Sequence, residues 1–225
     1  MTVAVSSDFA TQRQTMVDCQ IRTFDVTDQD VIARFIDVPR ECFVPSALQA
    51  LVYSDAALEL RADGATRTML APLVLARMIQ GAGVTSADRV LDVAGGAGYS
   101  AALLAGLAGE VVALESMASL SSQAAANLAA AGVTNVKVVA GSLDGASVSG
   151  PFDLIFVNGA VEDGIDPLLA KLAPGGRLIA VRKIAGHAGK VTRFEKIAGE
   201  TSHRVLFDAA APVLDAFARR PAFVF

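Results

Sequence analysis

The sequence predicts an α/β fold: a mostly parallel sheet with helices on both faces, antiparallel strands at its C-terminal end and a helical extension at its N-terminal end. Three observations predict it. From about residue 84, short apolar runs alternate with helical stretches, the pattern of strands joined by crossover helices. One such run, Val90-Leu91-Asp92-Val93, passes directly into a cluster of small residues, Ala94-Gly95-Gly96-Ala97-Gly98. After residue 181 the alternation stops, and apolar runs follow one another with little helix between them.

Taken in chain order, residues 11–21 and 28–37 have helical spacing. The second stretch opens on Thr27-Asp28-Gln29-Asp30, whose acids suit a helix start. Pro39 and Pro45 then punctuate a turn. The core begins with a strand over 89–93 and a helix over 100–107. A strand over 111–115, an alanine-rich helix over 120–131 ended by Gly132, and a strand over 136–140 follow. Residues 152–157 make a fourth strand, and a helix over 167–172 stops at Pro174-Gly175-Gly176 before a fifth strand over 177–181. Residues 190–197, 204–207 and 222–225 read as further strands, with a short turn near 212–218. The expectation is one domain over 1–225. A helical extension or lid over 1–80 covers the open edge of a ligand crevice, and a cofactor-binding core spans 84–225.

Composition narrows the function classes. A chain of 225 residues is long enough for one sizeable domain. Its hydrophobic fraction is 53%, much of it alanine, which suits helices packed closely on a sheet. A formal net charge of −4, with no basic run longer than Arg219-Arg220, argues against a nucleic-acid partner. No segment approaches the ~18 uninterrupted apolar residues of a membrane span, and the first residues lack a charged-then-apolar signal pattern. A soluble cytoplasmic protein with no membrane partner is expected. Cys19 and Cys42 lie far apart without metal spacing, so they are expected to be reduced and structural, and no metal site is expected.

The strand, glycine turn and helix around residues 90–104 form a nucleotide-type pocket, because glycine lets backbone approach a ligand with no Cβ in the way. Two ligands compete for it. Gly96-Ala97-Gly98-Tyr99-Ser100-Ala101 fits the relaxed dinucleotide fingerprint, and Glu115, ending the next strand, would grip a ribose in either case. Spacing alone leaves the two nearly even. Asp92 favours S-adenosylmethionine: a carboxylate before the glycines would repel a pyrophosphate but tolerates a cationic sulfonium and ammonium. The antiparallel ending also favours it, since it is similar to that of class I methyltransferases. Gly95, Gly96 and Gly98 are then expected to pass close to the methionine and ribose portions of the ligand. Asn158, just past the fourth strand, stands where open α/β sheets place their ligands.

Longer stretches carry a resemblance. Met16-Val17-Asp18-Cys19-Gln20-Ile21-Arg22, Val38-Pro39-Arg40-Glu41-Cys42-Phe43-Val44-Pro45 and Tyr53-Ser54-Asp55 resemble the N-terminal part of protein-L-isoaspartate O-methyltransferases. The segments 91–99, 151–155 and 172–178 continue the match in the same order. The resemblance implies a Rossmann-like class I methyltransferase fold and S-adenosylmethionine as cofactor. It further implies a protein or peptide substrate bearing a carboxylate, the L-isoaspartyl residues of damaged proteins, and hence a role in protein repair. The family stretch Gly-Gln-Thr-Ile-Ser-x-Pro falls on Thr66-Arg67-Thr68-Met69-Leu70-Ala71-Pro72. Thr68 is thereby placed at the mouth of the methyl channel, with Leu70, at the position of the family serine, narrowing it. By the same alignment Ala94 stands for the first loop glycine. Ser142 stands for the acid of a Gly-Asp-Gly motif and, with Leu143, borders the adenine.

These departures set up an alternative: a chain that binds the methyl donor but methylates another acceptor or has lost isoaspartyl activity, because Leu70 replaces a serine. Methyl transfer to a carboxylate needs no general base, since a group with a pKa near ~4 is already ionised at neutral pH. His187 and His203 are accordingly read as surface or structural. Arg22, Arg40 and Arg67 are candidates for steering an acceptor carboxylate, and Asp153 is assigned a structural role at its strand start.

Overall fold

The computed structural model describes residues 8–197 and 199–219. The N-terminal part packs α1 (Phe9–Met16), continued by a wider turn over Val17–Ile21, beside α2 (Gln29–Asp37). Asp28 caps α2, its carboxylate accepting from the Asp30 and Val31 amides, so the acid-rich start read from the sequence is the true helix start. Two short 3-10 turns, Arg40–Phe43 and Ser46–Leu51, follow the two prolines.

The N-terminal region is not wholly helical. Residues 58–69 form an antiparallel hairpin of β1 (Leu58–Ala62) and β2 (Ala65–Met69), and the family stretch at 66–72 therefore starts on a strand. The hairpin turns on Asp63 and Gly64, both with positive φ (51° and 75°), as a tight two-residue turn requires. The helix α3 (Pro72–Ala82), with proline at its first position and Gly83 left-handed at its end, was also absent from the sequence reading.

The core is a seven-stranded sheet. Its strands are β3 (Arg89–Val93), β4 (Glu110–Glu115), β5 (Val136–Ala140), β6 (Phe152–Val161), β7 (Leu172–Arg182), β8 (Lys190–Ile197) and β9 (Glu200–Asp208), in spatial order β5-β4-β3-β6-β7-β8-β9. The first five are parallel; β8 and β9 are antiparallel, as the broken alternation predicts. The strand expected at 222–225 lies outside the described residues. Three helices, α4 (Tyr99–Ala105), α5 (Ala118–Ala130) and α6 (Asp166–Ala170), make the crossovers.

Side chains alternate across the sheet, so each strand feeds two cores. On one face Val90, Val111, Leu154, Phe156 and Ile179 meet α3, α4, α5 and the N-terminal helices. On the other, Leu91, Val112, Ile155 and Leu178 meet Leu143, Leu168 and Phe217. Among the described residues, that second face carries α6 and a short turn over Asp215–Phe217.

Two boundaries are corrected. The fourth strand runs to Val161, so Asn158 lies within it and not past it. Between Phe156 and Ala160 the pairing with β7 shifts, β6 advancing four residues while its partner advances two, so Asn158 stands in a bulge. The fifth strand starts at Leu172, and Pro174-Gly175-Gly176 is an irregularity inside it, not the stop of a helix that in fact ends at Ala170.

Candidate functional site

The loop of residues 94–98 joins the C-terminal end of β3 to α4 and lies beside the ends of β4 and β6. Its backbone is left-handed at Ala94 (φ 61°), Gly96 (62°) and Gly98 (100°). Ala94 keeps the conformation of a glycine position without being glycine, at a cost of ~1–2 kcal/mol. Its amide donates to the Leu114 carbonyl at 2.9 Å, which fastens the loop to β4. At Gly95 a Cβ would overlap Asp92 Oδ2 and Ser100 Oγ.

Asp92 is fully buried. Ser100 Oγ donates to its Oδ2 at 2.7 Å and Asn158 Nδ2 to its Oδ1 at 2.7 Å, while Asn158 also donates to the Val93 carbonyl at 3.0 Å. Burial pushes the Asp92 carboxyl up to about 6, against the pull of those two hydrogen bonds. The folded state therefore holds a proton between pH 4 and 6 that the unfolded chain has lost. Stability should fall as pH rises through that window, by on the order of 3 kcal/mol, and level off above it. Unfolding measured from pH 4 to 8 should lose this decline in Asp92→Asn; an unchanged profile would mean that Asp92 is not its source.

Glu115 ends β4 with its carboxylate turned to the loop. Oε2 accepts from the Gly96 amide at 3.0 Å; Oε1 accepts from the Ser116 and Met117 amides at 2.8 and 3.1 Å. Arg67 of β2 reaches across and pairs with it, Nη2 lying 2.7 Å from Oε1. The two side chains are only 8% and 3% exposed. The acid expected to meet ribose hydroxyls is thus held by a guanidinium.

Other expected site residues are distributed unevenly. Ser142, exposed, and Leu143, buried, follow β5, next to the Glu115 backbone, whose carbonyl accepts from Gly141. Asp144 is engaged in its own turn, accepting from the Ala146 amide. Thr68 lines a small cleft of about 40 Å³ with Thr66, Arg67, Asn158 and residues 212–215. Leu70 does not line it. Its side chain, 2% exposed, lies in the core, where apolar burial is favourable, so it does not narrow the channel; its carbonyl accepts from Arg40 Nη2 at 3.0 Å.

The three arginines also part company. Arg22 is exposed and paired with Asp18. Arg40 is fully buried over the Tyr99 ring, and its Nε donates to the Val52 carbonyl. Only Arg67 lies at the crevice. Asp153 has its structural role, accepting from the Arg89 amide at 2.8 Å. Both histidines are exposed; both cysteines are free, in line with the expectation of reduced thiols, but exposed, which does not suit the structural role expected of them. Among the described residues there is no metal-binding group of three or more His, Cys, Asp or Glu, and no helix is long and apolar enough to cross a membrane. The sequence reading missed the Arg67–Glu115 pair and the Asp92–Asn158 bond, both of which join residues far apart in the chain.

Comparison with known proteins agrees with this architecture. The family model described as "Protein-L-isoaspartate(D-aspartate) O-methyltransferase (PCMT)" matches residues 11–210. A protein-L-isoaspartate O-methyltransferase of Methanoculleus marisnigri is 39% identical over 170 residues, 75% of this chain and 76% of that protein. Protein-L-isoaspartate O-methyltransferase 1 of Rhodopseudomonas palustris is 38% identical over 77% of this chain and 70% of its own length. Among solved structures, a protein-L-isoaspartate O-methyltransferase superposes over 90% of this chain with a TM-score of 0.79 at 25% identity; the chain spans 65% of that protein. A putative relative from Plasmodium falciparum, solved in complex with S-adenosyl-L-homocysteine, superposes over 92% of this chain and 98% of its own, with a TM-score of 0.74 at 19% identity. The chain belongs to the protein-L-isoaspartate(D-aspartate) O-methyltransferase family.

Proposed function

We propose that the protein transfers the methyl group of S-adenosylmethionine to the free α-carboxylate of L-isoaspartyl residues in damaged proteins. The observation that carries the donor half is Glu115, a carboxylate at the end of β4, bonded to the Gly96 amide so that it faces the glycine loop. That is where an adenosyl ligand's ribose hydroxyls would find an acceptor. At Gly96 a Cβ would stand 3.1 Å from Leu60 Cδ1 and 3.3 Å from Arg67 Cγ, so glycine is what lets the loop lie this close to the hairpin that carries Arg67.

The roles follow from position. Glu115 would hold the ribose, Ser142 and Leu143 would border the adenine, and Gly95, Gly96 and Gly98 with Ala94 would let the backbone run against the ligand. Asp92, fixed by Ser100 and Asn158, would set the loop and offer a negative field to a cationic ligand. When bound, the donor supplies an electrophilic methyl group. Thr68 borders the cleft, where the acceptor would enter. An acceptor carboxylate is already ionised, so the protein's task is to hold it in line, an effect worth up to ~7–11 kcal/mol in the best-oriented reactions. A cleft lined by no histidine suits that chemistry.

The test is methyl transfer from labelled donor to an isoaspartyl peptide, with the aspartyl peptide as control. A base-labile methyl ester on the isoaspartyl peptide alone is the expected result. Donor binding without that product would overturn the repair reading and favour the alternative acceptor that Leu70 suggests.

A further inference from the structure

Arg67 occupies the acid that the donor's ribose requires. Its Nε lies 3.0 and 3.2 Å from the two Glu115 oxygens, and its Nη2 lies 2.7 Å from Oε1 and 3.0 Å from Ser116 Oγ. With the Gly96, Ser116 and Met117 amides also donating, the lone-pair positions of this carboxylate are taken. The amides are fixed by the chain. The guanidinium is the one donor that can leave, and two ribose hydroxyls can enter only if it does.

A displaced, buried guanidinium is strongly unfavourable without a new anion. The space beside it is the cleft that Arg67 itself lines with Thr66, Thr68 and Asn158, and among the residues lining that cleft it is the sole cation. Asp215, the one carboxylate there, is exposed and solvated, so it is a weak competitor. The reaction brings an anion of its own, the acceptor's carboxylate.

Resting on the donor reading above, we propose that Arg67 is a specificity-determining residue with two stations. In the free protein it sits on Glu115; once the donor's ribose has taken Glu115, it sits on the acceptor's carboxylate. Donor binding then precedes acceptor binding, because the cation for the acceptor is released only by the donor.

The test uses the full chain and its Arg67→Gln and Arg67→Lys variants. Titration calorimetry with S-adenosylhomocysteine should give affinities at least tenfold tighter in the glutamine variant than in the parent, since the ribose no longer competes with a guanidinium. The KM for an isoaspartyl peptide should rise at least tenfold in the glutamine variant and less in the lysine variant, which keeps the charge without the fork. Equal or weaker S-adenosylhomocysteine binding by the variants overturns the first station, and an unchanged peptide KM overturns the second. Absence of binding by the parent and both variants overturns the donor reading itself, a result distinct from either. The lysine variant holds the test if the glutamine variant does not fold.

Discussion

Glu115→Ala is expected to abolish measurable binding of S-adenosylhomocysteine and to lower the stability of the free protein by about 3–5 kcal/mol, the range for breaking a buried ion pair from one side. The two effects share a cause. The carboxylate is the common acceptor of three backbone amides and of Arg67, all packed at the end of β4. Removing it strands a guanidinium that is 8% exposed and leaves the Gly96 amide without its partner, so the loop loses its anchor together with the ribose acceptor. Calorimetry reads the first effect and urea denaturation the second. Retained ligand affinity would show that the ribose is held elsewhere.

Arg177→Ala should cost as much stability, about 3–5 kcal/mol, with a different signature. Arg177 stands on β7 and pairs with Asp88 at 2.6 Å, while also donating to the Gly83 and Asp153 carbonyls. It thereby ties the end of α3 to the start of β3, at the end of that strand opposite the glycine loop. Burial pushes the Asp88 carboxyl up, but the Arg177 and Thr85 hydrogen bonds outweigh it and hold the group below the ordinary carboxylate range. A depressed folded pKa contributes stability that is present above the unfolded value and lost as pH falls through the folded one. Acid unfolding of the parent should show that loss, and Arg177→Ala, which leaves Asp88 only its Thr85 partner, should show less of it. Affinity for S-adenosylhomocysteine, measured where the variant remains folded, should change little. A large change there would mean that the two ends of β3 communicate.

The core strands were legible because a strand buried on both faces leaves a continuous apolar run, as in Val111-Val112-Ala113-Leu114. Asp92, Glu115 and the glycines were legible for a related reason: acids ending such runs beside small residues have few structural explanations. The hairpin was less so, although its signals exist. Leu58 and Leu60 alternate with Glu59 and Arg61 up to an Asp63-Gly64 turn.

Leu70 shows the limit of alignment. Its position in the motif placed it at the channel, yet β2 ends at Met69 and the next residue turns its side chain into the core. Arg67 shows the limit of pattern. No local spacing states that a strand arginine is buried, because its partner is on another strand 48 residues away. The reach of the fourth strand was hidden similarly, since Asn158 and Gly159 do not read as strand residues until a bulge accommodates them.

The bulge in β6 also bears on the order in which the protein assembles. Just beyond it, Ala160 accepts from the Leu214 amide at 3.0 Å and its own amide donates to the Pro212 carbonyl at 2.8 Å, so chain that follows the last sheet strand is clipped onto a central one. Leu214 then fills the place that a side chain at Gly159 would need. Contacts of such sequence separation carry a loop-closure cost and form late. On a ribosome, the strands β3–β9 and the glycine loop would be made before this clip emerges, and the cleft beside Arg67 would acquire its wall after them.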